Sequence, residues 1–198
     1  MTRKHSGGAR GATFLEVLFA AAVTTTLTAI AVPLTTDVSD DLRATMAARY
    51  VAGRIATLRM EAVARSTAVA LRFEPTAGDY TFAPFADGNG NGVRTADIGV
   101  GTDTPLGPAE QLQNNFRGVR FGLRPGVPDL DGAISTADSD GVRIGSARIL
   151  TMSPDGTATS GTLYVRGTRR QYAVRVFGVT GRTRVFRYES GVRQWTLR

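Results

Sequence analysis

The sequence predicts an α+β fold: a long N-terminal helix, apolar in its first half and amphipathic in its second, packed on an antiparallel β-sheet head. Three observations carry this. Ala12 to Leu34 is a run of 23 residues whose only charge is Glu16. Beyond it, apolar residues recur at helical spacing as far as Ser66. From Val69 onward the spacing changes to the alternation of strands, broken by Gly-, Pro- and Asp-rich turns.

In chain order, residues 1–11 (MTRKHSGGARG) are basic and glycine-rich and read as a cytoplasmic leader. The apolar run spans roughly 34 Å as a helix, enough for a bilayer core of about 30 Å, and the basic residues before it place that end in the cytoplasm. It is too long for a secretory signal core, and no clear Ala-x-Ala site ends it. A plain anchor would leave Glu16 unexplained, because a carboxylate inside an apolar helix usually has a partner. After Asp37, Asp40 and Asp41, the residues Ala44, Ala47, Ala48, Val51, Ile55, Leu58 and Ala62 fall on one helical face, with Arg49 and Arg59 off it.

Val69, Leu71 and Phe73 then alternate as a strand, Pro75–Gly78 turns, and Tyr80, Phe82 and Phe85 suggest the returning strand. Residues 86–118 read as a long loop, Val119–Leu123 as a short strand and residues 125–141 as a second loop. Strands follow at Val142–Met152, Thr162–Val165, Gln171–Phe177 and Arg184–Tyr188, with no internal repeat. The division expected is a leader over 1–11, a transmembrane helix over 12–36 and a globular head over 37–198.

Composition narrows the chemistry. Of 24 basic residues only Lys4 is a lysine; there is no cysteine, and the one histidine is His5. No disulfide, thiol nucleophile or zinc–thiolate site can form. Without residues 1–11 the chain also lacks histidine and lysine, hence any Ser-His-Asp triad, Ser-Lys pair or Schiff-base lysine. A non-enzymatic role is expected. The net charge of +7 is unevenly spread: residues 74–140 carry ten acids against four arginines, residues 141–198 eleven arginines against two acids.

Gly11 followed by Ala-Thr-Phe-Leu-Glu16 resembles the class III signal of type IV pilins and type II secretion pseudopilins: a basic leader, Gly, a hydrophobic residue, then Thr and Glu at the second and fifth mature positions. Ala12 stands where Phe is common, and Pro33 falls where many pilins carry a helix-kinking proline. Val51–Phe73 and the closing segment from Met152 to Arg187 resemble those of FimT/GspH-type minor pilins. The resemblance covers about half the chain; the acidic middle lies outside it. It implies cleavage by a prepilin peptidase between Gly11 and Ala12, N-methylation of Ala12, and filament assembly through Thr13, Glu16 and Pro33, with the Glu16 carboxylate attracting a neighbouring subunit's terminal amine. It also implies an inner-membrane, single-pass protein with a periplasmic head. The partners implied are other pilins or pseudopilins, the peptidase and the inner-membrane assembly platform.

Two further patterns stand out. Asp87-Gly-Asn89-Gly-Asn91-Gly92, with Asp97 following, fits the first half of an EF-hand loop. Ile98 occupies the position that needs a Glu, so the candidates are a modest Ca2+ site using Asp87, Asn89, Asn91 and Asp97, with Asp103 as an extra donor, or a flexible loop without an ion. Gly181-Arg182-Thr183-Arg184 resembles the Gly-Arg-x-Arg element of DNA-binding minor pilins. Strand alternation puts Arg182 and Arg184 on one face, and Arg169 and Arg170 add charge nearby in sequence; arginine suits phosphate. The competing reading is a solvated arginine face in an arginine-biased protein. Asp129, Asp131, Asp138 and Asp140 read as a solvated loop. The function expected is a minor pilin or pseudopilin subunit of a secretion pseudopilus or type IV pilus, the alternative a DNA-binding minor pilin of a DNA-uptake pilus.

Overall fold

The computed structural model describes Thr13–Arg198 except residues 135 and 138; for residues 30–37 it describes the backbone only. Gly11, Ala12, Asp138 and the Pro33 side chain therefore lie outside the described residues. The chain divides between Val38 and Ser39 into two units.

Helix α1, Phe14–Arg65, crosses that division. In the first unit Phe14, Leu15, Phe19 and Leu27 are exposed. Threonines within this apolar stretch satisfy their own hydroxyls: Thr25, Thr26 and Thr28 donate to the carbonyls of Ala21, Ala22 and Thr24 at 2.7, 2.8 and 2.7 Å. Among the described residues no helix is long and apolar enough to cross a membrane. The membrane-spanning helix expected over 12–36 is therefore not supported among the described residues; Ala12 and the side chains of residues 30–36 lie outside them.

In the second unit, Ala44, Ala47, Ala48, Val51, Ile55, Leu58 and Ala62 are all buried, as their helical spacing requires. They share one core with two antiparallel sheets. The first sheet holds β1 (Val69–Thr76), β2 (Asp79–Ala86), β3 (Thr104–Pro105), β4 (Glu110–Gln111) and, after two elements of the other sheet, Ile149–Met152 (β7). Its order is β3-β2-β1-β7, with β4 also on β2. The β1–β2 hairpin pairs Thr76 with Asp79, so Ala77 and Gly78 alone make the turn, and Gly78 has φ +80°, a value that favours glycine. The second sheet uses β5 (Arg120–Phe121), β6 (Val142–Arg143), β8 (Gly161–Arg166), β9 (Gln171–Phe177), β10 (Arg182–Glu189) and β11 (Gln194–Leu197). Its order is β11-β10-β9-β8-β5, with β6 also on β8.

Three local expectations are corrected. Residues 86–118 are not a plain loop: they contain β3, β4 and the short helices α2 (Thr95–Val100) and α3 (Leu112–Asn115). Val93 and Ile98 of this segment cover Ala70 and Ile149 on the outer face of the first sheet. A Cβ on Gly88 would lie 2.0 Å from the Thr102 carbonyl oxygen, so only glycine allows this close fold-back. The single strand expected over Val142–Met152 is two, β6 and β7, in different sheets. Finally, β11 is an element that the sequence pattern did not indicate.

Candidate functional site

Thr13 precedes α1, and its hydroxyl accepts the Glu16 amide hydrogen at 3.3 Å. Thr-x-x-Glu at a helix start is the capping-box spacing, and Thr13 fills the capping role. The Glu16 side chain is exposed within an apolar surface.

The Asp87 loop is closed by its own backbone. Asp87 Oδ1 accepts the amides of Asn89 (3.0 Å) and Gly90 (2.8 Å), and Oδ2 accepts that of Gly92 (2.7 Å). Burial opposes its ionisation, but these amides outweigh burial and hold the carboxyl below the usual carboxylate range. Asn91 Nδ2 donates to Asp97 Oδ2 at 3.0 Å, and buried Asp103 accepts the amides of Gly88 and Arg94. Among the described residues no group of three or more acidic or histidine side chains is gathered closely enough to hold a metal.

The second sheet has two different faces. Leu163, Val165, Tyr172, Val174 and Val176 face the main core. On the other face Tyr164, Ala173 and Tyr188 pack with Leu123, Val127 and Leu130 of the covering loop. Beyond the loop's edge the register aligns four strands: Arg143 pairs with Thr162, Thr162 with Arg175, and Arg175 with Arg184. Partners in register point to the same face, so Arg143, Arg175 and Arg184 form a row across the sheet. Arg182 lies two residues along the same face. These four arginines, with Phe177 and the β9–β10 turn, line a groove of about 790 Å3.

The charges in the groove are unevenly neutralised. Arg143 pairs with buried Asp129, whose carboxylate also accepts the amides of Asp131 and Ala133. Burial opposes ionisation of Asp129, but those amides and Arg143 keep its carboxyl below the usual range. Arg175 Nη1 pairs with exposed Asp131 at 2.9 Å. Among the described residues Arg182 and Arg184 have no acidic partner; the Arg184 guanidinium lies 5.5 Å from the Phe177 ring centre. Of the aromatics interleaved with these arginines, Tyr172 and Tyr188 are core, and Phe177 is exposed.

Arg169 and Arg170 are elsewhere, at the opposite end of β9, roughly 20 Å away at about 3.3 Å per residue. There Asp40 of α1 accepts the amides of Thr168, Arg169 and Arg170 at 2.7, 2.8 and 3.2 Å. Arg170 and Arg187 both approach Asp41, at 3.7 and 3.5 Å, and the Tyr172 hydroxyl donates to Asp41 at 2.8 Å. This cluster fastens the start of the head's helix to the β8–β9 turn. The row thus joins Arg182 and Arg184 to Arg143 and Arg175, not to Arg169 and Arg170.

The solvated loop expected around Asp129–Asp140 is corrected at Asp129, which is buried, whereas Asp131 and Asp140 are exposed. Asp140 accepts from the Tyr80 hydroxyl (2.6 Å), the Val142 amide (2.8 Å) and Arg148 (3.1 Å). Burial and the Asp140 bond push the Tyr80 hydroxyl up to about 12.

Compared with known proteins, the chain matches no family model, no curated protein and no solved structure.

Proposed function

We propose that the chain is a minor pilin or pseudopilin subunit, matured between Gly11 and Ala12 and assembled through its N-terminal helix. The observation that carries this reading is α1: one helix of 52 residues that buries Ala44–Ala62 in the head yet leaves Phe14, Leu15, Phe19 and Leu27 exposed. Apolar side chains on that scale require a cover, from lipid or from other helices. The internally bonded threonines suit either medium, since a hydroxyl that donates to its own helix needs no water. Glu16 is the one acid in that stretch, and a carboxylate among apolar helices gains most from a cation at its own depth. Glu16→Ala is expected to leave membrane retention intact and to remove most of the protein from sheared filaments. Wild-type recovery of the variant in filaments would remove Glu16 from the mechanism.

A second reading has its own observation, the arginine row. Two arginines without acidic partners among the described residues, beside two more in one groove, suit the phosphates of a nucleic acid strand, bound without sequence preference. Binding of the full chain to a labelled DNA duplex is expected to weaken steeply between about 50 and 200 mM salt. Arg182→Ala with Arg184→Ala is expected to abolish most of it. Binding indifferent to those two substitutions would count against the groove.

A further inference from the structure

We propose that Asp131 is a built-in competitor for the arginine row: its carboxylate holds Arg175 in the free protein and yields it to a phosphate of a bound DNA strand. This rests on the nucleic-acid reading of the groove and adds a device that limits its affinity.

The starting point is a repulsion. Arg175 and Arg184 are direct cross-strand neighbours. Adjacent strands lie about 4.8 Å apart, and like charges directly opposite each other are unfavourable. The free protein relieves this with Asp131, 2.9 Å from Arg175. A phosphate seated between the two guanidinium groups would relieve it better, because it can serve both arginines.

The two acids at the row differ in kind. Asp129 is 5% exposed and its carboxylate takes two backbone amides besides Arg143. It is a fixed part of the covering loop, because removing it would strand those amides. The Asp131 side chain is 69% exposed, and among the described residues its carboxylate has Arg175 as its one partner. Exposed ion pairs of this type contribute little net stability, so Asp131 can swing away at small cost. The row therefore has three settings: Arg143 permanently occupied, Arg182 and Arg184 open, and Arg175 conditional.

The test uses the full chain in a non-ionic detergent and a short fluorescently labelled DNA duplex, followed by anisotropy at about 50 and 200 mM salt. Asp131→Asn keeps the backbone turn, which depends on the Asp131 amide and the Asp129 side chain. It is expected to tighten binding by about fivefold, the factor that one unit charge at ~4 Å is worth in water. The gain should be larger at about 50 than at about 200 mM salt, because salt screens the competing pair. It should vanish in the Asp131→Asn, Arg175→Ala double variant. Wild-type affinity in Asp131→Asn at both salt concentrations would overturn the proposal, as would a gain that survives in the double variant. If Arg182→Ala with Arg184→Ala still abolished binding in that case, the groove reading would stand without the Asp131 device. Absence of DNA binding in the wild type and in Asp131→Asn alike would overturn both. Trp195, the only tryptophan, lies in the head and packs on Tyr164 and Tyr188, so its fluorescence verifies folding of each variant.

Discussion

Asp79 joins the two sheets. It opens β2 in the first sheet, yet its Oδ1 accepts the Phe121 amide of β5 in the second at 2.9 Å, and its Oδ2 accepts Gln113 Nε2 at 3.1 Å. It is buried, so Asp79→Ala leaves an amide without water or partner. The expected loss is about 1–3 kcal/mol, read from urea unfolding followed by Trp195 fluorescence. A change within about 0.5 kcal/mol, the range of surface substitutions, would contradict that role. Sequence reasoning reached Arg182 and Arg184 because two residues apart on a strand means one face. It missed the partners of the acids. Asp129 and Asp140 sit among glycines and read as solvated, but their ligands are Arg143 and Tyr80, the latter 60 residues away. No local pattern encodes a contact at that separation. Thr13 and Glu16 carry two signals at once: the capping spacing at the start of α1 and the resemblance to a pilin signal.

Elements were legible where one face is buried and the run is long. The seven positions from Ala44 to Ala62 repeat at 3.6, and the structure buries each of them. β9 spans the residues that alternation marks, Gln171–Phe177. Legibility failed where elements are two to six residues long and held by packing: α2, α3, β3 and β4 form because the segment folds back on the first sheet. Val142–Met152 reads as one apolar strand because nothing in its pattern shows that Ile144–Arg148 lies between two sheets. β11 carries only Gln-Trp-Thr-Leu, too short for alternation to register; Trp195 is fixed by its Nε1 bond to the Pro128 carbonyl at 2.9 Å. The arginine row is likewise a property of register. Three strands, β7, β8 and β9, separate Arg143 from Arg184 in the chain, and the β6-β8-β9-β10 pairing brings them together.

At the scale of the whole molecule, one helix serves two units: exposed apolar residues over its start and a buried face in the head. The charge follows a similar division of labour. The basic C-terminal segment of the sequence is partly paired with Asp41 and Glu189 and partly gathered into the groove. The proposed function is that of a subunit that is matured, inserted and incorporated, and its central claim is maturation at the N-terminus. The most direct measurement is the intact mass and N-terminal sequence of the chain expressed with and without a prepilin peptidase. The account predicts loss of residues 1–11 and one added methyl group on the Ala12 amine, both dependent on the peptidase and both blocked by a bulky substitution of Gly11. An N-terminus unchanged by the peptidase would contradict it.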